Sequence, residues 1–202
     1  MTPKDSTPKD SRPKLASLSL EASSCTRCGL AESRTQVVFG MGNETADICF
    51  VGEGPGAEED AQGLPFVGRS GRLLDRLMVE EMGMTRDQCY IANVVKCRPP
   101  SNRDPRPDEI EACRPWLESQ LDAIAPKVVV TLGNFATKLL LETNEGITKL
   151  RGKVYPWRGV LLVPTFHPAA VLRGGAETMA GMRADLVRAK LAMQDTYSKE
   201  PS

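Results

Sequence analysis

The chain has 202 residues, of which 41% are apolar and 26% charged, with 26 basic residues against 26 acidic ones. That composition belongs to a soluble globular fold with a substantial core, and a net charge of zero carries no overall signature of a nucleic-acid binder. The longest apolar runs, 128–132 and 160–163, are far too short to span a bilayer.

Residues 1–14 repeat Thr-Pro-Lys-Asp-Ser and close on Arg-Pro-Lys. Such a segment has nothing to bury and is expected to be a disordered tail, leaving residues 15–202 as a single domain. Next comes Cys25-x2-Cys28, whose two-residue gap lets both thiolates of one turn grip a single metal centre. The short run Ile48–Gly52 reads as a buried strand, with Cys49 a core residue. Directly after it, Gly52-Glu53-Gly54-Pro55-Gly56 exposes backbone N–H groups that can receive an anion or a carbonyl oxygen, or can simply make a strand-to-helix turn. No G-x-G-x-x-G opens a helix here, so this is not a dinucleotide fingerprint. Phe66 follows in a loop bounded by Pro65 and Gly68, either a core residue or a platform on which a planar base can stack.

A helical pattern over Gly71–Glu81 leads to Cys89, another core cysteine, and to a second strand, Tyr90–Val95. Asn93 interrupts that strand, and a buried amide must find partners or cost stability. Its paired donor and acceptor can match one edge of a nucleobase and reject the edge with donor and acceptor exchanged. Residues 96–106 then carry four basic residues against Asp104, and include Cys97. Pro107–Ile124 reads as a helix with proline in its first turn, and contains Cys113. Strand Val128–Leu132, helix Asn134–Leu141, strand Val160–Thr165 and helix Ala176–Met193 complete the chain. Residues 151–173 hold four basic residues and no acidic one, which suits phosphate contacts or an ordinary surface. They also hold His167, the one histidine of the chain, which excludes a His-rich metal site but can donate a hydrogen bond to a developing oxyanion.

Strands alternating with helices predict an α/β fold, a three-layer α/β/α arrangement around a mostly parallel four-stranded sheet. Ligands of such sheets bind outside the carboxyl ends of the strands, which is where Glu53, Lys96–Arg106, Gly133 and His167 fall. Cys25, Cys28, Cys97 and Cys113 suit either an iron–sulfur cluster or structural zinc, and the lack of a second CxxC favours the cluster.

Four strings in this order (Cys25–Cys28; Gly52–Gly56 followed by Glu58–Asp60 and Gly63–Gly68; Asn93–Pro99; Phe166–Arg173) resemble the family 4 uracil-DNA glycosylases, the iron–sulfur type of bacteria and archaea. The resemblance runs from Cys25 to the last helix. It implies a uracil-DNA glycosylase-like fold, with a [4Fe–4S] cluster on Cys25, Cys28, Cys97 and Cys113. It implies that Glu53 and Gly54 border a uracil pocket, that Phe66 stacks on the flipped base, that Asn93 reads its pairing edge and that His167 stabilises the uracil anion. Leu172 and Arg173 enter the duplex, Asn102 and Arg103 meet DNA, and Glu59 supports catalysis. Gly54 stands where other glycosylases of the superfamily carry a water-positioning aspartate, so Glu53, and after it Glu59, become the candidates for water activation. Family X relatives trap DNA through a histidine in a basic insertion after the second strand; residues 96–106 contain none, so ordinary turnover is expected. The resemblance further implies a monomer acting on uracil-containing DNA, single- or double-stranded, in the cytoplasm at the nucleoid, with no membrane. The competing readings are a non-catalytic Fe–S nucleic-acid-binding module and a zinc-stabilised nucleotide-binding protein.

Overall fold

Strands covered on both faces need continuous apolar sequence rather than alternation, and the buried runs of this chain build the middle of its sheet. The computed structural model describes residues 14–198; the expected tail lies outside them except for Lys14, which precedes the first helix. Among the described residues the strands are β1 (Met41–Gly42), β2 (Ile48–Gly52), β3 (Tyr90–Asn93), β4 (Val128–Leu132), β5 (Tyr155–Trp157) and β6 (Val160–Thr165). They form one sheet in the order β1-β3-β2-β4-β6-β5. The inner four are parallel, and both edge strands are antiparallel to their neighbours. The sheet therefore has six strands rather than the expected four, the additions being short strands that close its edges.

The helices are α1 (Leu15–Ser23), α2 (Ala57–Gln62), α3 (Arg69–Leu77), α4 (Pro107–Ile124), α5 (Asn134–Leu141), α6 (Ile147–Leu150) and α7 (Pro168–Tyr197). Alternate strand residues feed two separate cores. Cys49, Val51, Ala92 and Val129 pack with α1, α4 and α5 on one face. Ile48, Phe50, Ile91 and Val130 pack with α3 and α7 on the other. This is the expected three-layer arrangement.

Several boundaries differ from expectation for local reasons. The helix expected over Gly71–Glu81 begins earlier, and after Leu77 it widens into a π turn, Met78–Met82, which Gly83 ends in the left-handed region (φ 68°). The strand expected to reach Val95 stops pairing as a ladder at Asn93, yet Val94 and Val95 still donate to the carbonyls of Gly52 (2.9 Å) and Glu53 (3.0 Å). The last helix begins at Pro168 rather than Ala176, and Gly175 (φ 76°, ψ −160°) divides it where the expected helix starts. The extra segment carries Leu172 and Arg173. Chain direction reverses around β2, which has β3 on one side and β4 on the other, and this is the switch point where open α/β sheets bind ligands.

Candidate active site and cysteine centre

All four parallel strands deliver residues from their carboxyl ends to one cleft of about 650 Å³, among them Glu53, Gly54, Phe66, Asn93 and His167. Asn93, the last residue of β3, is 1% exposed. Its Oδ1 has no hydrogen-bond partner, the sole such case among the buried side-chain polar atoms of the described residues. An acceptor left so in a protein interior is costly unless a ligand donor meets it. Phe66 lies beside it with φ 53° and 5% exposure, its ring centroid 5.7 Å from that of His167 at a tilt of 34°. A Cβ on Gly52 would come within 2.5 Å of both Asn93 Oδ1 and Phe66 Cζ, so these two groups converge over a bare backbone.

His167 caps the N-terminus of α7, where the N–H of Ala169 donates to its Nδ1 (3.1 Å). That bond fixes the tautomer with the proton on Nε2. Burial, reinforced by Arg173 and opposed by Glu59, brings its pKa down to about 4, so the ring is a neutral N–H donor at physiological pH. Gly133, at φ 86°, has no room for a side chain, since a Cβ would lie 2.9 Å from the Cβ of His167. Glu53 leaves β2 into the cleft, and burial, with Asp104 behind it, pushes its carboxyl up to about 7. Gly54 has no room for an aspartate, because a Cβ would meet Val95 Cγ2 at 2.7 Å.

Glu59 lines the same cleft. Its carboxylate accepts the backbone N–H groups of Gly56 (3.1 Å), Val67 (2.9 Å) and Gly68 (2.8 Å), tying the glycine-rich loop to the loop that carries Phe66. Arg103 lines the cleft as well, its fork in a bidentate pair with the buried Glu109 (2.8 and 2.6 Å). Asn102 is exposed on the rim, its Oδ1 accepting from Arg98 Nε (2.8 Å). Arg173 also lines the cleft, and the neighbouring Leu172 is 42% exposed. Arg86 is the participant that sequence reasoning passed over, while Lys96 and Asp104 entered it only as charges of the loop after β3.

The four cysteines of the predicted quartet line one cavity together with Arg27, Arg34, Lys96 and Trp116. None forms a disulfide. Three of the sulfurs accept N–H donors: Cys25 from Trp116 Nε1 (3.4 Å), Cys97 from Arg34 Nη1 (3.5 Å) and Cys113 from the backbone of Lys96 (3.3 Å). Arg27 closes the cavity by lying 4.4 Å over the Trp116 ring. Burial pushes the Cys97 thiol up to about 11 and raises Cys113, with Arg34 and Lys96 respectively drawing them back. Two buried and two partly buried thiols surrounded by cations and N–H donors, with no carboxylate lining the cavity, fit an anionic thiolate-bound centre.

The family model of the uracil DNA glycosylase superfamily matches residues 39–189. The type-4 uracil-DNA glycosylase of Sulfurisphaera tokodaii is 49% identical over 166 residues, which cover 78% of this chain and 76% of that one. The type-4 enzyme of Thermotoga maritima is 48% identical over 158 residues, 77% of this chain and 82% of its own. A type-5 uracil-DNA glycosylase of Thermus thermophilus is more distant, 30% identical over 135 residues and covering 60% and 59%. The chain belongs to the uracil-DNA glycosylase superfamily and, within it, to the type-4 enzymes.

Proposed function

We propose that the protein hydrolyses the N-glycosidic bond of uracil flipped out of DNA, releasing the base and leaving an abasic site for base excision repair. The observation that carries this reading is the orphaned Oδ1 of Asn93. Uracil presents an imide N–H at N3, which satisfies that acceptor, and a carbonyl at C4 for the amide N–H. Cytosine presents a lone pair and an amine at the same places and leaves both Asn93 groups mismatched. Phe66 stacks on the base from the side, and Gly54 offers backbone without bulk.

As the N1–C1′ bond breaks, its electron pair passes to N1 and spreads to O2, where His167 Nε2–H donates. A neutral imidazole holds that proton firmly and stabilises the anion by hydrogen bonding, a contribution of about 3 kcal/mol. Water adds its oxygen to C1′, and its proton goes to Glu53, whose carboxyl near pH 7 is poised as a base. Glu59 acts by holding the two loops together. Leu172 fills the gap left by the flipped base, with Arg173 and Asn102 at the strand, and flipping costs least where uracil is mispaired or single-stranded. Arg103 supports this rim through Glu109.

Cys25, Cys28, Cys97 and Cys113 would hold a [4Fe–4S] cluster, which supplies no step of the reaction but cross-links the N-terminal segment to the loop after β3. All-thiolate ligation without a second CxxC suits a cubane, which gives each thiolate its own iron, better than a structural zinc. The protein works as a monomer on DNA, in the cytoplasm at the nucleoid. Alkali treatment after incubation with a uracil-containing oligonucleotide tests the activity: strand breaks at uracil, lost in His167→Ala, are expected. An intact oligonucleotide after incubation with the parent protein would end the enzyme reading. Broad visible absorption with stoichiometric iron is expected of the purified protein, and zinc in its place would remove the cluster.

A further inference from the structure

Phe66 adopts a backbone conformation that a bulky side chain does not choose for itself, with φ 53° in the left-handed region. Something must over-determine it. Arg86, in the turn before β3, donates from Nη1 to the carbonyl of Pro65 (2.8 Å) and from Nη2 to that of Phe66 (2.5 Å). Its Nε is anchored on Asp75 Oδ1 of α3 (3.0 Å). Gly71 of α3 also packs so closely that any Cβ would overlap the Phe66 carbonyl oxygen. The peptide is thus bonded by Arg86 and closely packed by Gly71, and the ring it carries has its centroid 5.7 Å from that of His167 and converges with Asn93 Oδ1 over Gly52.

We propose that Arg86 is a positioning residue for base recognition: its guanidinium fork locks the Pro65–Phe66 carbonyls so that the Phe66 ring is preset as the stacking surface for the flipped base. This rests on the uracil reading of the cleft. Arg86 bonds carbonyls behind the ring and acts only through it. Lysine, a point charge on a flexible stem, keeps the attraction to Asp75 but cannot reproduce a planar two-carbonyl grip.

The test is a double-mutant cycle in the full-length protein, read by single-turnover excision from a uracil-containing oligonucleotide, with melting curves recorded alongside. Arg86→Lys is expected to lower the maximal rate about tenfold, the size of one base–aromatic stacking contact, with half-saturating DNA concentration unchanged. In a Phe66→Ala background the same substitution is expected to change the rate by less than about twofold, because the ring through which it acts is gone. Asp75→Asn, which loosens the anchor but leaves the fork, serves where Arg86→Lys melts below the assay temperature, and its smaller loss must vanish in the same background. Equal losses in both backgrounds, a loss confined to DNA affinity, or no loss at all would overturn the proposal. An inactive parent protein would instead overturn the uracil reading itself.

Discussion

Replacing Glu53 by glutamine should make the protein more stable and less active, and the first effect should depend on pH. Burial pushes this carboxyl from 4.5 up to about 7, so folding favours its protonated form. The stability that preference contributes is fully present below pH 4.5 and is lost as pH rises through about 7. The gap between 4.5 and 7 is worth about 3 kcal/mol, and because Glu53 lines a cleft that water enters, this is an upper bound. Glutamine has the same shape and no charge to desolvate. The melting temperature of Glu53→Gln should exceed that of the parent by about 5 °C near pH 8.5, with the advantage gone by about pH 4.5. The same variant lacks the acceptor for the water proton, so excision should fall at least about a hundredfold, with DNA affinity nearly unchanged. In the parent, kcat/KM should climb to a plateau with a midpoint near 7, and His167, at about 4, adds no limb in that window. Glu53→Gln protein with the same melting advantage at both pH values, or a parent whose rate is flat through neutrality, would refute this account of the carboxyl.

Three further substitutions probe the architecture around it. Gly133→Ala places a methyl 2.9 Å from the Cβ of His167 at a φ of 86°; it should cost about 1–3 kcal/mol in melting and displace the imidazole, so excision should fall more than DNA binding. Glu59→Gln sets an amide against three backbone N–H groups where a carboxylate accepted all of them, and should lower stability by about 1–3 kcal/mol, measured by denaturant titration. Arg103→Ala leaves the carboxylate of Glu109, with 3% of its side chain exposed, short of its main partner; a lower melting temperature is expected, whereas reduced DNA affinity with unchanged melting would return Arg103 to the DNA surface.

Much of this fold was legible because burial on both sides leaves a mark on sequence. The runs 48–52, 128–132 and 160–165 coincide with β2, β4 and β6, and the helix expected over 107–124 forms despite Pro115 within it. The edge strands were not legible. β1 has two residues, and β5 is a half-exposed Tyr-Pro-Trp whose proline reads against a strand interior. Its signal lies instead in the turn, where Arg158 (φ 45°) and Gly159 (φ 82°) both adopt the left-handed conformation of a two-residue hairpin. Gly174 and Gly175 hid the first turns of α7, since glycine reads as an ending and here one does divide the helix. In the site, Asn93 and His167 stood out because each is a polar residue at an apolar boundary. Arg86 did not, and Glu59 did so only through the family resemblance, because their bonds are to carbonyls and N–H groups that only the folded chain brings within reach.

The placement of the cysteine centre follows from the shortest stretch of chain in the site. Three residues separate Asn93 from Cys97, and each makes a bond that fixes the others. Val94 and Val95 hold the carbonyls of Gly52 and Glu53, the two residues that open the pocket wall. Lys96, buried and drawn down to a pKa of about 8 by that burial, sends Nζ to the carbonyl of Asn93 (2.7 Å) and to Gln120, while its own N–H donates to Cys113 Sγ (3.3 Å). Gln120 passes the constraint on to the carbonyl of Phe39 (2.8 Å). An amide that must read one edge of a base tolerates displacements of only about 0.5 Å, and a five-residue segment cannot hold itself to that precision. Anchoring one end to α4 through Cys113 and Gln120, and the other to β2, does. A cluster on these cysteines would therefore bear on which base is cleaved in the proposed reaction, because the segment that ends at Cys97 begins with Asn93, the proposed reader of the base.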